Sequence, residues 1–417
     1  MTYKNIFTEK VASAYIIVFV IISFLFGVIL YAFWNMTLAE QDALIILEIS
    51  QNPSRKERIK IFEKKVARLQ RETIKGIYLT AYSAGSNKKM TEIINLINNT
   101  ELNAVIIDIK DYSGKVLYNS NVELVNELEL EDYRINKIEE LITALHKYDI
   151  YVIARQTVFQ DPILARKKSD WALKNKNGGV WYDYKGLSWV DPSIKEVWDY
   201  NIEIAKEAIS LGFDEINFDY VRFPSDGNMS ALQYNNGELK KYEVMGQFYE
   251  YLNDKLKKYP AKISLDLFGF VMEKTGEDDM NIGQRLEDAL DEVDAISPMM
   301  YPSHYPSGHL GLANPAEYPG LVIKNGMEKG AHFFYEKKAV LRPWLQAFNI
   351  GAVYDANKIR EQIDIVEQYT NGGWMLWNAA NRYSTDGLEL VDIKPTLVES
   401  FEEILNIDSN IINGDGF

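Results

Sequence analysis

After Lys75, short β-rich runs alternate with helical stretches, and this alternation constrains the fold more than any other feature of the chain. The runs are "GIYLTAY" (76–82), "NAVIIDIK" (103–110), "IYVIARQTVF" (150–159), "FDEINFDYVRF" (213–223), "KISLDLFGF" (262–270), "AISPMMYPSHY" (295–305), "AVLRPWLQAF" (339–348) and "GGWMLWNA" (372–379). Between them "INKIEELITALHKY", "IKEVWDYNIEIAKEAISLG", "NNGELKKYEVMGQFYEYLNDKLKKY" and "DANKIREQIDIVEQYT" read as helices. Strands that alternate with helices pair in parallel through crossovers. Eight such units predict an α/β fold, the closed (β/α)8 TIM barrel. The rival, an open doubly wound sheet, needs a glycine-rich phosphate turn, of which "TAYSAGSNKK" is a weak imitation. Two strand-to-helix connections are long, 111–132 after the second strand and 160–193 after the third. A barrel builds its site from loops at this end of its strands.

The chain ahead of the barrel has a different character. "VASAYIIVFVIISFLFGVILYAFW", Val11 to Trp34, carries no charge. As a helix it would span roughly 36 Å, enough to cross a hydrocarbon core of about 30 Å. It is too long for the apolar region of a cleaved signal peptide, and "YAFWNM" is a poor cleavage site. Lys4 and Lys10 precede it while Glu40, Asp42 and Glu48 follow, so the positive-inside rule keeps residues 1–10 in the cytoplasm and sends the rest of the chain outside. The expectation is a single-pass cell-membrane protein with a signal anchor at 11–34 in the bilayer, a helical stalk at 35–74 and an extracytoplasmic barrel domain at 75–410. In the stalk, Ile59, Phe62, Val66 and Leu69 recur at spacings of three and four after a break at Asn52-Pro53. That stripe covers under three heptads, which allows weak self-association at most.

Composition narrows the partners. Of 417 residues 47% are hydrophobic, ample for a large core, and there is no cysteine, which excludes disulfides and thiolate zinc. A net charge of −15 argues against nucleic acid and anionic headgroups, and a neutral or cationic partner fits better.

Side chains alternate between the inside and outside of a barrel strand. In "DEINFDY" the apolar Ile216 and Phe218 suit the helix-facing side, which turns Glu215, Asn217 and Asp219 inward, with Asp219 last, at the mouth. By the same rule Ser264 and Asp266 face inward from the fifth run, and Asp108 and Lys110 from the second. Arg155 comes from the third, and Arg342, Trp344 and Gln346 share a face of the seventh. Carboxylates crowded at one mouth repel, so one holds a raised pKa, and a pair of unequal protonation is what glycosidic-bond cleavage needs. Trp181, Tyr182 and Trp189 lie in the polar loop "NGGVWYDYKGLSWVDP", and Tyr301, Tyr305, Trp344, Trp377 and Tyr383 fall at or beyond strand ends. Their flat rings suit the C–H faces of sugars. His304 and His309 follow the sixth run at the mouth, with His304 as a substrate-binding or acid/base-assisting group, whereas His146 reads as surface or core and His332 precedes the seventh run. No metal or cofactor is expected: the histidines lack zinc spacing, and "GEDDMN" (276–281) reads as a solvated helix start rather than a calcium loop. Serine nucleophile elbows are absent.

The segments "IIDIKDYSGKVLY", "YVIARQTVFQDP", "NKNGGVWYDYKGLSWVDPSIKEVWDYN", "GFDEINFDYVRFPSDG", "SLDLFGF", "ISPMMYPSHYPSGHLG", "LRPWLQAF" and "GGWMLWNAANRY" together resemble the family called the putative glycosyl hydrolase domain, over about residues 75–395. The resemblance implies a (β/α)8 barrel and a glycoside hydrolase. The fourth run is also similar to the fourth-strand signature of chitinase-type barrels, matched at Asp214, Asn217 and Asp219. Val221 stands where the catalytic glutamate of that signature would be, so its acetamido-assisted mechanism is not implied. The expectation is a membrane-anchored hydrolase of a cell-wall or surface polysaccharide. Asp219 and Asp266 would be acid and nucleophile or base, with Asp108 the alternate. Arg155, Trp181, Tyr220, Arg222, Tyr301, His304, Arg342, Trp344, Gln346, Trp377 and Asn378 would bind sugar. The alternatives are a non-hydrolytic glycan-binding barrel and an envelope scaffold.

Overall fold

A computed structural model describes residues 53–391. The expected membrane span at 11–34 lies outside the described residues, as does the first part of the expected stalk. Among the described residues no helix is long and apolar enough to cross a membrane. A helix runs over Pro53–Leu69, and a compact unit begins at Arg68.

In that unit the eight expected strands are β1 Ile74–Leu79, β2 Ala104–Lys110, β3 Tyr151–Thr157, β4 Glu215–Asp219, β5 Lys262–Phe268, β6 Ala295–Met300, β7 Trp344–Gln346 and β8 Gly373–Trp377. Each pairs in parallel with the next, and β1 pairs with both β2 and β8, which closes the barrel. Val340–Leu341 also pairs with β6 before the chain bends at Arg342-Pro343 into β7. The outer layer holds α1 Asn87–Asn99, α2 Ile138–Lys147, α3 Lys195–Leu211, α4 Lys241–Leu256, α5 Pro319–Gly330 and α6 Ala356–Val366. The connection from β5 to β6 has a 3₁₀ turn at Gly269–Glu273. "GEDDMN" is an exposed turn there and not a helix start: Gly276, Met280 and Asn281 have positive φ, which stops helical propagation.

Local signals explain the helices. The Ser86 side chain caps α1 by accepting from Lys89 N–H, and Met90, Ile93, Ile94 and Ile97 form its buried stripe. α3 ends on Gly212 at φ +109°, a left-handed cap that glycine adopts without penalty. The main core lies between strands and helices, where Val105, Ile107, Ile216, Phe218, Ile263, Leu265 and Leu267 are all buried. Each such side chain contributes roughly 1.5–3 kcal/mol. A second, smaller core fills the barrel and includes Ile74, Ile106, Tyr151, Ile153, Trp344 and Met375.

One expected direction is reversed. Asp108 pairs with Arg155 while Lys110 pairs with Gln156, so Ile109 forms a bulge and the alternation of β2 slips by one residue. Lys110 therefore points outward, fully buried, and bonds Asp161 at 2.7 Å and the Thr157 carbonyl at 2.8 Å, 5.5 Å from the Tyr200 ring centre on α3.

Candidate active site

The stretch 213–224 carries three acids, and each is neutralised by a different partner. Asp214 faces outward at the strand's start, where it accepts from Val152 N–H at 3.0 Å and meets His146 at 2.9 Å and Arg68 at 3.5 Å. Glu215 turns inward at the barrel floor onto Arg342, with Tyr151 Oη at 3.1 Å. Asp219 turns inward at the other end of the strand, onto Arg155.

Arg155 is the hub of the mouth. Its Nη1 donates to Asp108 Oδ1 at 2.6 Å, its Nη2 to Asp219 Oδ2, and its Nε lies 3.6 Å from Asp266 Oδ2. The three inward aspartates expected from strands two, four and five thus converge on one guanidinium. Tyr78 of β1 donates to Asp108 Oδ2 at 2.5 Å, and its ring stacks on Trp377 of β8 with centroids 3.8 Å apart. Arg155 sits 5.6 Å and 5.0 Å from those two ring centres. Asp266 Oδ1 accepts from Trp344 Nε1 at 2.7 Å and Asn217 Nδ2 at 2.9 Å.

Three carboxylates around one cation cannot all ionise cheaply. Burial, and then the charge of Asp219, raise the Asp266 carboxyl to about 7, opposed by Arg155 and by the Asn217 and Trp344 hydrogen bonds. Asp108 is also raised, by burial first, against the pull of Arg155 and the Tyr78 hydroxyl. The cluster lies just below the rim, with Asp219 at 3% and Asp266 at 1% exposure.

Tyr220, next after Asp219, has φ +54°, a left-handed conformation that costs a tyrosine about 1–2 kcal/mol. That turn brings its N–H within 2.5 Å of Asp219 Oδ1. Its ring packs against Trp189 at 5.8 Å, and Arg222 lies 4.9 Å from the Trp189 ring and 5.2 Å from that of Tyr220. Tyr301 lies at the mouth, its ring 5.4 Å from His304 and 6.5 Å from Trp377. Desolvation lowers the pKa of His304, which favours the neutral ring.

Five residues expected to touch sugar are buried, set at the floor or occupied by other contacts. Arg342 is at the floor with Glu215, because it precedes β7 proper. Trp344 is fully buried and supports Asp266 instead of offering a face. Gln346, also fully buried, spends its amide on Ser303 N–H and the Phe348 and Ile350 carbonyls, tying two loops together. Asn378 bonds the Ala347 and Arg382 carbonyls and Ala380 N–H. Trp181 is 1% exposed, with its Nε1 on the Asn228 carbonyl, and alternation in its hairpin turns Tyr182 (46% exposed) outward in its place. Sequence reasoning missed Tyr78. Its place two residues beyond Gly76 in β1 puts it on the inward face, a signal hidden by the ease of reading a lone tyrosine as packing.

A parallel eight-stranded barrel with carboxylates gathered at the C-terminal ends of its strands has the architecture of a (β/α)8 enzyme. The family described as "Putative glycosyl hydrolase domain" matches residues 76–383, and the chain belongs to it. Among solved structures, a hypothetical protein from Ruminiclostridium thermocellum is 39% identical, over 45% of this chain and 96% of that one, with a TM-score of 0.43. The glycoside hydrolase domain of PgaB (BpsB) from Bordetella bronchiseptica is 12% identical, over 73% of this chain and 94% of that one, with a TM-score of 0.51, a likeness of fold. An alpha-galactosidase from Thermus thermophilus is 10% identical, over 75% and 59%, with a TM-score of 0.48. No curated protein matches the chain.

Proposed function

We propose that the protein cleaves a cell-wall or surface polysaccharide with Asp266 as general acid and Asp219 as nucleophile or base, from a barrel held outside the cell by a membrane anchor at 11–34. The family supports the class of reaction, and the unequal carboxyls support the roles. Asp266, with its carboxyl at about 7, keeps a substantial protonated fraction at neutral pH, and that form gives its proton to the departing glycosidic oxygen. Asp219, held against Arg155, supplies the negative oxygen that attacks the anomeric carbon or takes a proton from water. Asp108 and Tyr78 fix the other edge of Arg155. Trp377, half-buried at the mouth, offers ring surface for the sugar. The observation that carries this reading is two carboxylates, Asp219 and Asp266, gathered on the Arg155 guanidinium, with Asp266 raised first by burial and then by the charge of Asp219.

The same pairing favours a second reading, a glycan-binding barrel without hydrolysis, since all three acids contact an arginine. Release of reducing ends from defined wall and capsule polysaccharides by the full chain separates the two. Hydrolysis by wild type that falls by at least about 10³-fold in both Asp219→Asn and Asp266→Asn supports the enzyme. Equal release by wild type and Asp219→Asn rejects Asp219 as catalytic, and binding without release by wild type selects the second reading.

A further inference from the structure

Arg222 is a buried cation to which the proposed chemistry gives no task. It lies three residues beyond the end of β4 and is 8% exposed. Its Nη1 donates to the Phe223 carbonyl at 3.0 Å and to Ser225 Oγ at 3.3 Å. Among the described residues its Nε and Nη2 have no hydrogen-bond partner and no carboxylate lies at ion-pair distance, yet neither nitrogen is among the polar atoms sealed from solvent. The rings of Phe268, Trp189 and Tyr220 surround the guanidinium at 4.7, 4.9 and 5.2 Å. Such contacts stabilise a desolvated cation but supply no acceptor for the two free nitrogens. The nearby acids do not reach it: Asp219 is bonded by Arg155, Asp183 by Lys185 N–H, Leu187 N–H and Trp189 Nε1, and Asp226 acts through space without an ion-pair contact.

A desolvated charge without an ionic partner is costly to keep, and the Nε/Nη2 edge of a guanidinium matches a pair of anionic oxygens. We propose that Arg222 recognises an acidic substituent, a carboxylate, sulfate or phosphate, on the sugar bound beside Asp219. The inference rests on the mouth being the sugar site. Asp219, Asp226 and Asp183 all act on Arg222 through space, and Arg155 offsets the charge of Asp219 by direct contact. The −15 charge of the whole chain acts at long range, where salt screens it beyond about 8 Å, and disfavours a polyanion rather than one acidic group at contact.

The test is titration of the full chain in detergent with glucuronate, galacturonate, glucose and galactose at constant ionic strength. Tryptophan fluorescence is the readout, because Trp189 packs on Arg222. At least one uronate should bind roughly tenfold or more tightly than its neutral parent, as expected for a hydrogen bond to a charged group. Arg222→Gln should erase the preference and Arg222→Lys should weaken it. Equal affinities, no binding of any of the four, or a preference that survives Arg222→Gln overturns the proposal. Should that variant fail to fold by circular dichroism, an undiminished preference in Arg222→Lys overturns it instead. Asp219→Asn separates this inference from the catalytic one: it should abolish hydrolysis and tighten uronate binding by removing a neighbouring negative charge. Hydrolysis retained in Asp219→Asn sinks the catalytic roles and leaves the uronate preference to the titration.

Discussion

Under the proposed chemistry, Asp266 couples folding to catalysis through a single carboxyl. Its carboxyl is raised from 3.8 to about 7 on folding, so between those values the folded chain holds a proton that the unfolded chain has lost. The resulting stability is complete below the unfolded value and disappears as pH rises through the folded one, at up to roughly 1.4 kcal/mol per pH unit. Urea midpoints should therefore fall across that window in wild type and fall less in Asp266→Asn; an unchanged slope in the variant contradicts the assignment. Trp344 donates to the carboxylate and so favours ionisation. Trp344→Phe should move the basic limb of kcat/KM to higher pH, by on the order of one unit. The inward direction of Asp219 and Asp266 was legible from alternation with apolar neighbours. The convergence of all three acids on Arg155 was not, because it depends on how strands far apart in sequence are staggered around the ring.

At the scale of elements, local irregularities decide what alternation leaves open. The bulge at Ile109 sends Lys110 out of the barrel into a fully buried pair with Asp161, which also caps the helix Pro162–Lys167. Lys110→Met strands a buried charge and should cost about 3–5 kcal/mol in urea unfolding, with much of it recovered when Asp161→Asn is added. A loss under 1 kcal/mol would show that the pair is not sealed from water. The hairpin after β3 is clamped by the loop after β4: a Cβ on Gly227, at φ +109°, would lie 2.5 Å from Trp181 Cζ2. Gly227→Ala should destabilise the chain by about 1–3 kcal/mol and increase proteolytic cutting between Gly178 and Gly186. Neither feature has a sequence signature of its own. A bulge is set by the partner strand's register, and the inward turn of Trp181 by a glycine more than forty residues away.

Across the whole molecule, the closed barrel was the most legible property, since eight strand–connection units allow few other arrangements. Its floor and mouth both contain buried acid–arginine pairs, Glu215 with Arg342 and Asp219 with Arg155, and composition does not distinguish the floor pair from the one proposed to do chemistry. Position along the strand does, because the long loops border the C-terminal end, even though the floor pair lines a cavity of about 770 Å³ at the opposite end. The proposed anchor predicts that the full chain sediments with membranes, resists salt and alkali, and is released by detergent; recovery in the soluble fraction would contradict it. The most direct measurement of the central claim is a carboxyl titration of the intact chain by ¹³C NMR with labelled aspartate, comparing wild type with Asp219→Asn. A wild-type Asp266 resonance that titrates near 7, and at lower pH once the Asp219 charge is gone, is the predicted result. An Asp266 that titrates in the ordinary carboxylate range in both proteins would contradict the shared-arginine account of the site.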